Sequence, residues 1–324
     1  MNISTLIYKK FKDTQLKELL AKSGEAFSFK LLGTLVAYLL TLFIAQSYGP
    51  EVLGVYSLCL AFVQVTSLFG RAGVDIALLK KISIFSASNS NESIIKIYKD
   101  ALKFLLPLIA IMGFVIYLLN SWIANDLLNK PHLGEIFQLS LFAFPAFALT
   151  AIHSESLKAL GNLRAYLFFQ MSGLNFITLL TLAIFFFVST SDHAPVYSLI
   201  ISSIVLFFMS LVFWLKRLRS LHTERKDNKN YTQELLSLGF PMFMSSSMVF
   251  LLTWADTFML GALSTERSVG IYQATLKVSG IIGLSLFAIN SVIGPKLAAL
   301  SSQSKKDELE HLLRRSTKII TGIS

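Results

Sequence analysis

Six ionisable side chains lie within, or at the ends of, long apolar stretches of the sequence, and they are the candidates for function. The cations are Lys30, Arg71 and Lys277, and the acids are Glu25, Asp75 and Asp256. An ionisable group is costly in the core of a bilayer, so such groups usually line a polar path or pair with one another. This pattern indicates a polar path across the membrane rather than a simple membrane anchor.

Lys277 is the deepest of these candidates. It comes about nine residues into the last apolar stretch, which at 1.5 Å per residue is roughly 13 Å from the membrane surface. Asp256 lies in the preceding stretch at a depth that would allow the two side chains to meet. The pair therefore has two interpretations, as part of a transport path or as an ion pair that joins two helices.

The composition indicates which elements must position these groups. The chain is 54% hydrophobic and 15% charged, with a mean hydropathy of +0.62, whereas soluble domains contain about 25% charged residues. We predict an all-α polytopic membrane protein, because each lipid-exposed span must satisfy its own backbone hydrogen bonds. The predicted spans cover residues 26–47, 53–79, 101–120, 135–157, 164–188, 195–214, 236–262 and 268–293, and residues 317–324 look like the start of a ninth. Pro145 should kink the fourth span, and Pro241 is a candidate for the same effect in the seventh.

Lysine and arginine are distributed unevenly between the two sides of these spans. The connections and terminal segments on one side hold 24 of them, and those on the other side hold only Lys130 and Arg267. Positive charge marks the cytoplasmic side, so we predict a cytoplasmic N-terminus, with residues 1–23 forming an amphipathic helix at the membrane surface. The net charge of +10 then reflects contact with anionic lipid rather than nucleic acid.

A group of ionisable side chains gathers at the cytoplasmic ends of the predicted spans. Its members are Glu25, Lys30, Arg71, Asp75, His153, Glu155 and Lys158. Arg71 and Asp75 are four residues apart and therefore share one helix face. The group would form an inward-facing entry site at this end of the spans. The alternative is that its members are interfacial anchors whose side chains reach the membrane surface, and Lys158 and Arg164 would then only fix the topology.

Enzyme chemistry is disfavoured by what the chain contains. The single cysteine, Cys59, excludes an intrachain disulfide or a cysteine-cluster metal site, and we expect no cofactor. The predicted connections are short, whereas a membrane polysaccharide polymerase or ligase would need a sizeable external loop. A purely structural scaffold is disfavoured by the buried Lys277 and Asp256. We therefore predict a protein that is not an enzyme.

The pattern at the start of the chain recurs after a charged linker, residues 215–234. Gly54-Val55-Tyr56 opens the second span and Gly270-Ile271-Tyr272 opens the eighth, and the two copies have the same orientation. This predicts a parallel six-helix repeat, with a complete N-lobe at residues 24–214 and a partial C-lobe at residues 235–324.

The segments that carry the repeat also resemble a known family. YGPEVLGVYSL, GRAGVDIALLKKIS, GFPMFMSSSMVFLLTWADTFMLGAL and SVGIYQATLKVSG are similar to hairpins of bacterial polysaccharide flippases, a branch of the multidrug/oligosaccharidyl-lipid/polysaccharide exporter superfamily. Members have 12 to 14 helices, so the resemblance implies a C-terminally truncated chain.

The resemblance implies a function, a location and partners. The substrate would be an undecaprenyl-pyrophosphate-linked oligosaccharide, an O-antigen or capsule repeat unit of lipopolysaccharide or polysaccharide biosynthesis, flipped across the bacterial inner membrane by alternating access. Arg71 and Lys30 would load its headgroup and Lys277 would bind it at mid-depth, with Asp256, Asp75 or Glu25 coupling an ion. The partners would be that lipid, the bilayer and polysaccharide polymerase machinery, and we expect a monomer. The alternative is a cation-coupled small-molecule or drug antiporter of the same superfamily, which would favour acidic and aromatic residues in its cavity.

Overall fold

The structure, a computed structural model, describes residues 3–188, 191–221 and 227–280. These residues form helices joined by short connections, and no strand occurs among them. The predicted all-α membrane fold is confirmed. Two predictions lie outside the described residues, namely the part of the eighth span beyond residue 280 and the start of a ninth span at residues 317–324.

The helices follow one another along the chain with few interruptions. Their bounds are α1 Ile3–Ser47, α2 Pro50–Arg71, α3 Val74–Ala87, α4 Asn91–Trp122, α5 Gly134–Ser140, α6 Ala143–Ala159, α7 Leu163–Leu167, α8 Gly173–Val188, α9 Ala194–Arg219 and α10 Thr232–Leu263. A π-helical turn follows α4 (Ile123–Leu127), another joins α7 to α8 (Phe168–Ser172), and a 3₁₀ turn precedes α5 (Pro131–Leu133). A last helix, α11, is described over residues 266–280.

In the described residues, six helices are long and apolar enough to cross a membrane, or seven if the bent pair α5 and α6 counts as one span. They match the first seven predicted spans, and α11 begins where the eighth was predicted. Successive spans reverse direction, so the connections alternate between two ends. The basic end holds connections 88–90 and 160–162 and the described residues 220–221 and 227–231. The opposite end holds connections 48–49, 128–133 and 264–265.

The second span was predicted as one helix over residues 53–79, but the structure divides it into two helices. Helix α2 ends at Arg71 and α3 begins at Val74, and the two residues between them are left-handed, with φ of 47° at Ala72 and 74° at Gly73. A Cβ at Gly73 would overlap the carbonyl oxygen of Gly239 in α10. Glycine adopts a positive φ without steric cost, so the helix breaks where the backbone of α10 passes closest to it.

Proline has different effects in two of the helices. Pro145 lacks the N–H that would bond the carbonyl of Leu141, and the helix breaks at Leu141 and Phe142, with a bend of 42° between the flanking segments. The predicted kink is therefore confirmed. Helix α10, in contrast, continues as a single helix through Pro241.

Helix α1 is also continuous. The segment predicted to lie separately at the membrane surface and the first span form one helix of 45 residues.

Buried apolar side chains form two clusters within the bundle. One lies toward the basic end and includes Ile97, Ile152 and Trp214. The other lies toward the opposite end and includes Ile44 and Phe137. These clusters fix the relative positions of the helices that enclose a polar cavity.

Candidate functional site

A polar cavity of about 230 Å³ lies within the bundle. Its walls come from α2, α6, α8 with the π-helical turn before it, α9, α10 and α11. Two of the residues predicted from the sequence, Arg71 and Lys277, line this cavity together. No aspartate or glutamate is among the described residues that line it.

Helix α2 supplies one continuous strip of the cavity wall. The residues involved are Leu60, Gln64, Ser67 and Arg71, at successive intervals of four, three and four residues. This spacing places them on one face of a helix. The strip runs from the middle of the bundle to the basic end, where α2 ends at Arg71.

Arg71 is held by contacts that leave part of its guanidinium free. Its Nη1 donates to Oδ2 of Asp75 at 2.7 Å and its Nε to the carbonyl oxygen of Ser67 at 3.2 Å. The side chain is 13% exposed and that of Asp75 is 9% exposed. A guanidinium has five N–H donors, so others stay available for an anion in the cavity.

Lys277 makes no hydrogen bond or ion pair with the described part of the chain. Lys30 in α1, another cation, repels the Lys277 ammonium group. Two like charges repel, and an anion placed near both would relieve that repulsion. The structure thus places Lys277 and Arg71 on the wall of the same cavity, with Lys30 in range to act electrostatically on Lys277.

Asp256 does not pair with Lys277 among the described residues. Its Oδ2 accepts a hydrogen bond from the Tyr272 hydroxyl at 2.7 Å, and Gln273 donates to Thr257 one position further along, at 2.6 Å. The turn between α10 and α11 places residues equally distant from it side by side. Lys277 lies five residues beyond Tyr272, or about 7.5 Å deeper, so the interpretation as a helix-joining ion pair is wrong.

The predicted group at the basic end divides into separate sets. Arg71 and Asp75 interact electrostatically with Glu155 of α6, whose carboxylate is 3.4 Å from Lys158 Nζ. These four residues form a mixed-charge cluster at the end of the cavity. Glu25 lies elsewhere, in an ion pair with Arg164.

His153 has a packing role rather than a place in the site. It is 1% exposed, and its ring nitrogens lie 2.9 Å from Ser210 Oγ and 3.0 Å from the Tyr98 hydroxyl. The ring also stacks on Phe207, and both nitrogens are therefore occupied within the helix bundle. Among the described residues, no group of three or more potential metal-binding side chains occurs.

Several lining residues were not singled out from the sequence. The amides Gln64, Gln170 and Asn175 line the cavity, as does Trp254 of α10. Amide side chains inside apolar helices are a recognisable signal, and Gln64 is seven residues from Arg71 on the same face. The π-helical turn that carries Gln170 has no such signal in the sequence.

That turn is fixed by close packing. A Cβ at Gly33 of α1 would lie 2.7 Å from the carbonyl oxygen of Met171, so α1 can approach the turn only because residue 33 is glycine. Single π-helical turns occur frequently at functional sites. Here the turn adds one residue to the helix and directs Gln170 toward the cavity.

Comparison with solved structures shows which fold encloses this cavity. The MATE multidrug transporter DinF-BH, solved in complex with a ligand, is similar with a TM-score of 0.66 and 18% identity, over 95% of this chain and 70% of that one. A second structure, designated protein A, is similar with a TM-score of 0.63 and 16% identity, over 86% of this chain and 64% of that one. The chain therefore has the fold of these proteins but spans only about two thirds of their length.

Sequence comparison identifies the family. The sequence has no significant match among curated proteins. The family model for polysaccharide biosynthesis proteins matches residues 19–301, which include both hairpins of the predicted repeat and every described residue that lines the cavity. The chain is a multi-pass membrane protein that belongs to the polysaccharide biosynthesis protein family.

Proposed function

We propose that this chain is a transmembrane flippase for an undecaprenyl-pyrophosphate-linked oligosaccharide, such as an O-antigen or capsule repeat unit. The family match and the transporter fold support a protein that moves a solute across the membrane rather than an enzyme. Under this proposal the basic end faces the cytoplasm of a bacterial inner membrane, as the distribution of Lys and Arg predicts.

The charge of the cavity wall is the observation that carries the proposal. Arg71 and Lys277 line it, Lys30 acts electrostatically on Lys277, and the described lining includes no carboxylate. Such a surface attracts a diphosphate and repels a cation. Arginine also binds phosphate oxygens through two parallel N–H donors, a geometry that suits the headgroup.

The size of the cavity limits what enters it. Pockets for drug-sized ligands have volumes of about 300–1,000 Å³, and this one has about 230 Å³. A headgroup fits more readily than a complete lipid-linked oligosaccharide. We propose that the diphosphate and the first sugar occupy the cavity while the lipid tail stays in the bilayer.

A binding experiment tests the role of the cations. The purified 324-residue chain is reconstituted in nanodiscs, and its affinity for farnesyl diphosphate is measured. Charge-assisted hydrogen bonds contribute about 1.5–3 kcal/mol, so we expect Arg71→Ala and Lys277→Ala each to weaken binding about tenfold or more.

Lys216→Ala is the matched control, because Lys216 is exposed at the basic end of α9. Equal affinity in Lys277→Ala and the control would overturn the assignment of the cavity as the headgroup site. In cells that depend on the protein for surface polysaccharide, the same two cavity variants should lose polymer at normal expression.

The fold likeness to a multidrug transporter favours a second candidate, a cation-coupled antiporter for small molecules. Aromatic residues also line the cavity, among them Phe147, Phe169 and Phe250. Of the acids that would bind a coupling cation, Asp75 and Glu25 are engaged by arginines. Efflux of cationic dyes that is lost in Asp256→Asn would support this candidate.

A further inference from the structure

The three tryptophans of the chain have different environments. Trp122 at the end of α4 is 53% exposed, as expected at a membrane surface. Trp214 is fully buried, and its ring packs 4.8 Å from that of Tyr98. Trp254 lines the cavity instead, and it makes no ring contact or hydrogen bond with the described residues.

Polar groups around Trp254 also lack partners in the described part of the protein. Gln64 and Asn175 line the cavity without a side-chain hydrogen bond, and the hydroxyl of Thr150 is buried without a partner. Unpartnered polar groups are costly inside a membrane-spanning bundle. They require a polar ligand or water within the cavity.

Trp254 and Lys277 lie at nearly the same depth when residues are counted along their helices. Counted from the opposite end at 1.5 Å per residue, Trp254 lies about 14 Å deep, Lys277 about 17 Å and Gln64 about 21 Å. Arg71 lies seven residues beyond Gln64, or about 10 Å nearer the basic end. The cavity therefore has two levels. Arg71 lies at the level nearer the basic end, and Trp254, Lys277 and Gln64 form a second level nearer the opposite end.

We propose that this second level is a sugar-binding subsite, in which Trp254 stacks on a pyranose ring while Gln64 and Asn175 bond its hydroxyl groups. An indole presents a broad apolar face and one N–H donor, which suits the C–H face of a pyranose. An amide both donates and accepts hydrogen bonds, as sugar hydroxyls do. The subsite rests on the proposed function, and it selects the glycan that adjoins the diphosphate.

The depth of Trp254 argues against a role at the membrane surface. Tryptophan anchors lie at the headgroup level, as Trp122 does, whereas Trp254 is near the middle of the bundle. An apolar residue of the same volume would fill the space without requiring the neighbouring amides. The combination of free indole and free amides is what favours a sugar.

A comparison of lipid probes with and without a sugar tests the subsite. Affinities of the full chain in nanodiscs are measured for farnesyl diphosphate and for its glucosyl, galactosyl and N-acetylglucosaminyl derivatives. We expect at least one glycosylated probe to bind about tenfold more tightly than the sugar-free probe, as a well-formed aromatic stack allows. Trp254→Ala should abolish most of that difference, so that it weakens the preferred glycosylated probe several-fold more than it weakens farnesyl diphosphate.

Two further variants sharpen the test. Trp254→Phe keeps an aromatic face and should retain part of the preference for sugar. Trp122→Ala removes a tryptophan from the surface of the bundle and should change neither affinity. Melting temperatures of all variants show whether each protein is folded.

Three outcomes would overturn the subsite. If the wild-type protein binds all four probes equally, it has no sugar preference and the subsite is wrong, but the proposal of a diphosphate site is still supported. Equal weakening of every probe by Trp254→Ala would show that the indole supports the fold instead. Failure of wild-type protein to bind any probe would overturn the proposed function together with the subsite.

Discussion

The N-terminal bundle (residues 24–219) and the C-terminal hairpin (residues 232–280) touch at both ends of the molecule, through different chemistry. At the opposite end, α2 crosses α11 at Gly54 and Gly270. At the basic end, the junction of α2 and α3 crosses α10 at Gly73 and Gly239. In both places glycine allows two backbones to meet, but the surrounding side chains differ.

The opposite-end crossing is reciprocal. A Cβ at Gly54 would overlap the carbonyl oxygen of Glu266, and a Cβ at Gly270 would overlap that of Pro50. Each of these oxygens lies one helical turn before the partner glycine. The two glycines open the similar Gly-Val-Tyr and Gly-Ile-Tyr segments on which the predicted repeat rests, and these two segments pack against each other.

One carboxylate strengthens this crossing. Glu266, whose side chain is 18% exposed, lies 2.9 Å from Lys130 Nζ and 2.9 Å from His132 Nε2. Partial burial raises the pKa of Glu266, but the hydrogen bond from Lys130 and the charges around it outweigh that effect and lower the pKa below its ordinary value. We call the set of Glu266, Lys130 and His132 the clamp, and it depends on a single ionised carboxylate.

The basic-end crossing is supported by a partly buried hydrogen-bond network around Tyr231, the residue just before α10. Tyr231 is 3% exposed and packs on Phe85, its backbone N–H donates to Asp100, and its hydroxyl donates to Asp227. Asp227 also accepts a hydrogen bond from Ser93, which lowers the pKa of that carboxyl. Separating this end would expose an aromatic side chain and leave several polar groups without partners, so we expect the opposite end to separate first.

The largest expected effect comes from adding side chains at the opposite-end crossing. Gly54→Leu and Gly270→Leu would force two backbones apart, and overpacking of this kind costs about 1–3 kcal/mol or more. We expect a clear fall in melting temperature in detergent. Gly24→Leu is the control, because nothing lies within 4 Å of a Cβ there. Equal melting temperatures would show that the crossing is not a tight contact in the membrane.

The next effect concerns the basic end. Asp100→Ala would remove the acceptor of the Tyr231 N–H and of Lys96, whose Nζ lies 2.7 Å from the carboxylate. Loss of a buried hydrogen-bond acceptor costs about 1–3 kcal/mol. We expect lower thermal stability and faster labelling of a thiol introduced by Leu235→Cys, a position that is 2% exposed. Asp126→Ala, at an exposed aspartate, should change neither quantity.

A smaller effect is expected from the clamp. Glu266→Gln keeps the shape of the side chain and removes its charge. A thiol introduced by Leu58→Cys, with Cys59→Ala, reports on this end, because a Cβ at Gly261 of the hairpin would lie 2.6 Å from Leu58. The loss of about 1 kcal/mol should increase its labelling about fivefold. Labelling of the Leu235→Cys reporter at the basic end should not change. An equal increase at both positions would show that the two ends do not open independently of each other.

Sequence reasoning predicted this fold more fully than the site. Apolar stretches of about 20 residues define spans because a bilayer has a fixed thickness, and Pro145 marks its own break. The interruption after Arg71 was missed, because it arises from the approach of Gly239, which lies more than 160 residues away along the chain. A contact between distant segments leaves no periodic signal near either of them.

The same reason explains which site residues were found. Arg71 and Lys277 were identified because charge in an apolar stretch is unusual. Their presence on one cavity wall follows from the packing of α2 against α10 and α11, which no local pattern specifies. Asp256 was predicted to meet Lys277 from approximate depth alone. Counting residues outward from the turn between α10 and α11 would have paired it with Tyr272, as the structure does. Trp254 was missed because an aromatic residue in a membrane helix is ordinary until its surroundings are known.

The smallest expected effect is the dependence of the clamp on pH. Because the pKa of Glu266 is lowered in the folded protein, the clamp is fully formed above the ordinary carboxyl range and is lost as pH falls through the lowered value. Labelling of the Leu58→Cys reporter should therefore stay constant near neutral pH and rise only in acid. Glu266→Gln should remove the rise, and His132→Ala should preserve it, because Lys130 still holds the carboxylate. If labelling still rises in acid in Glu266→Gln, the acid sensitivity belongs to another group and the clamp is not its cause.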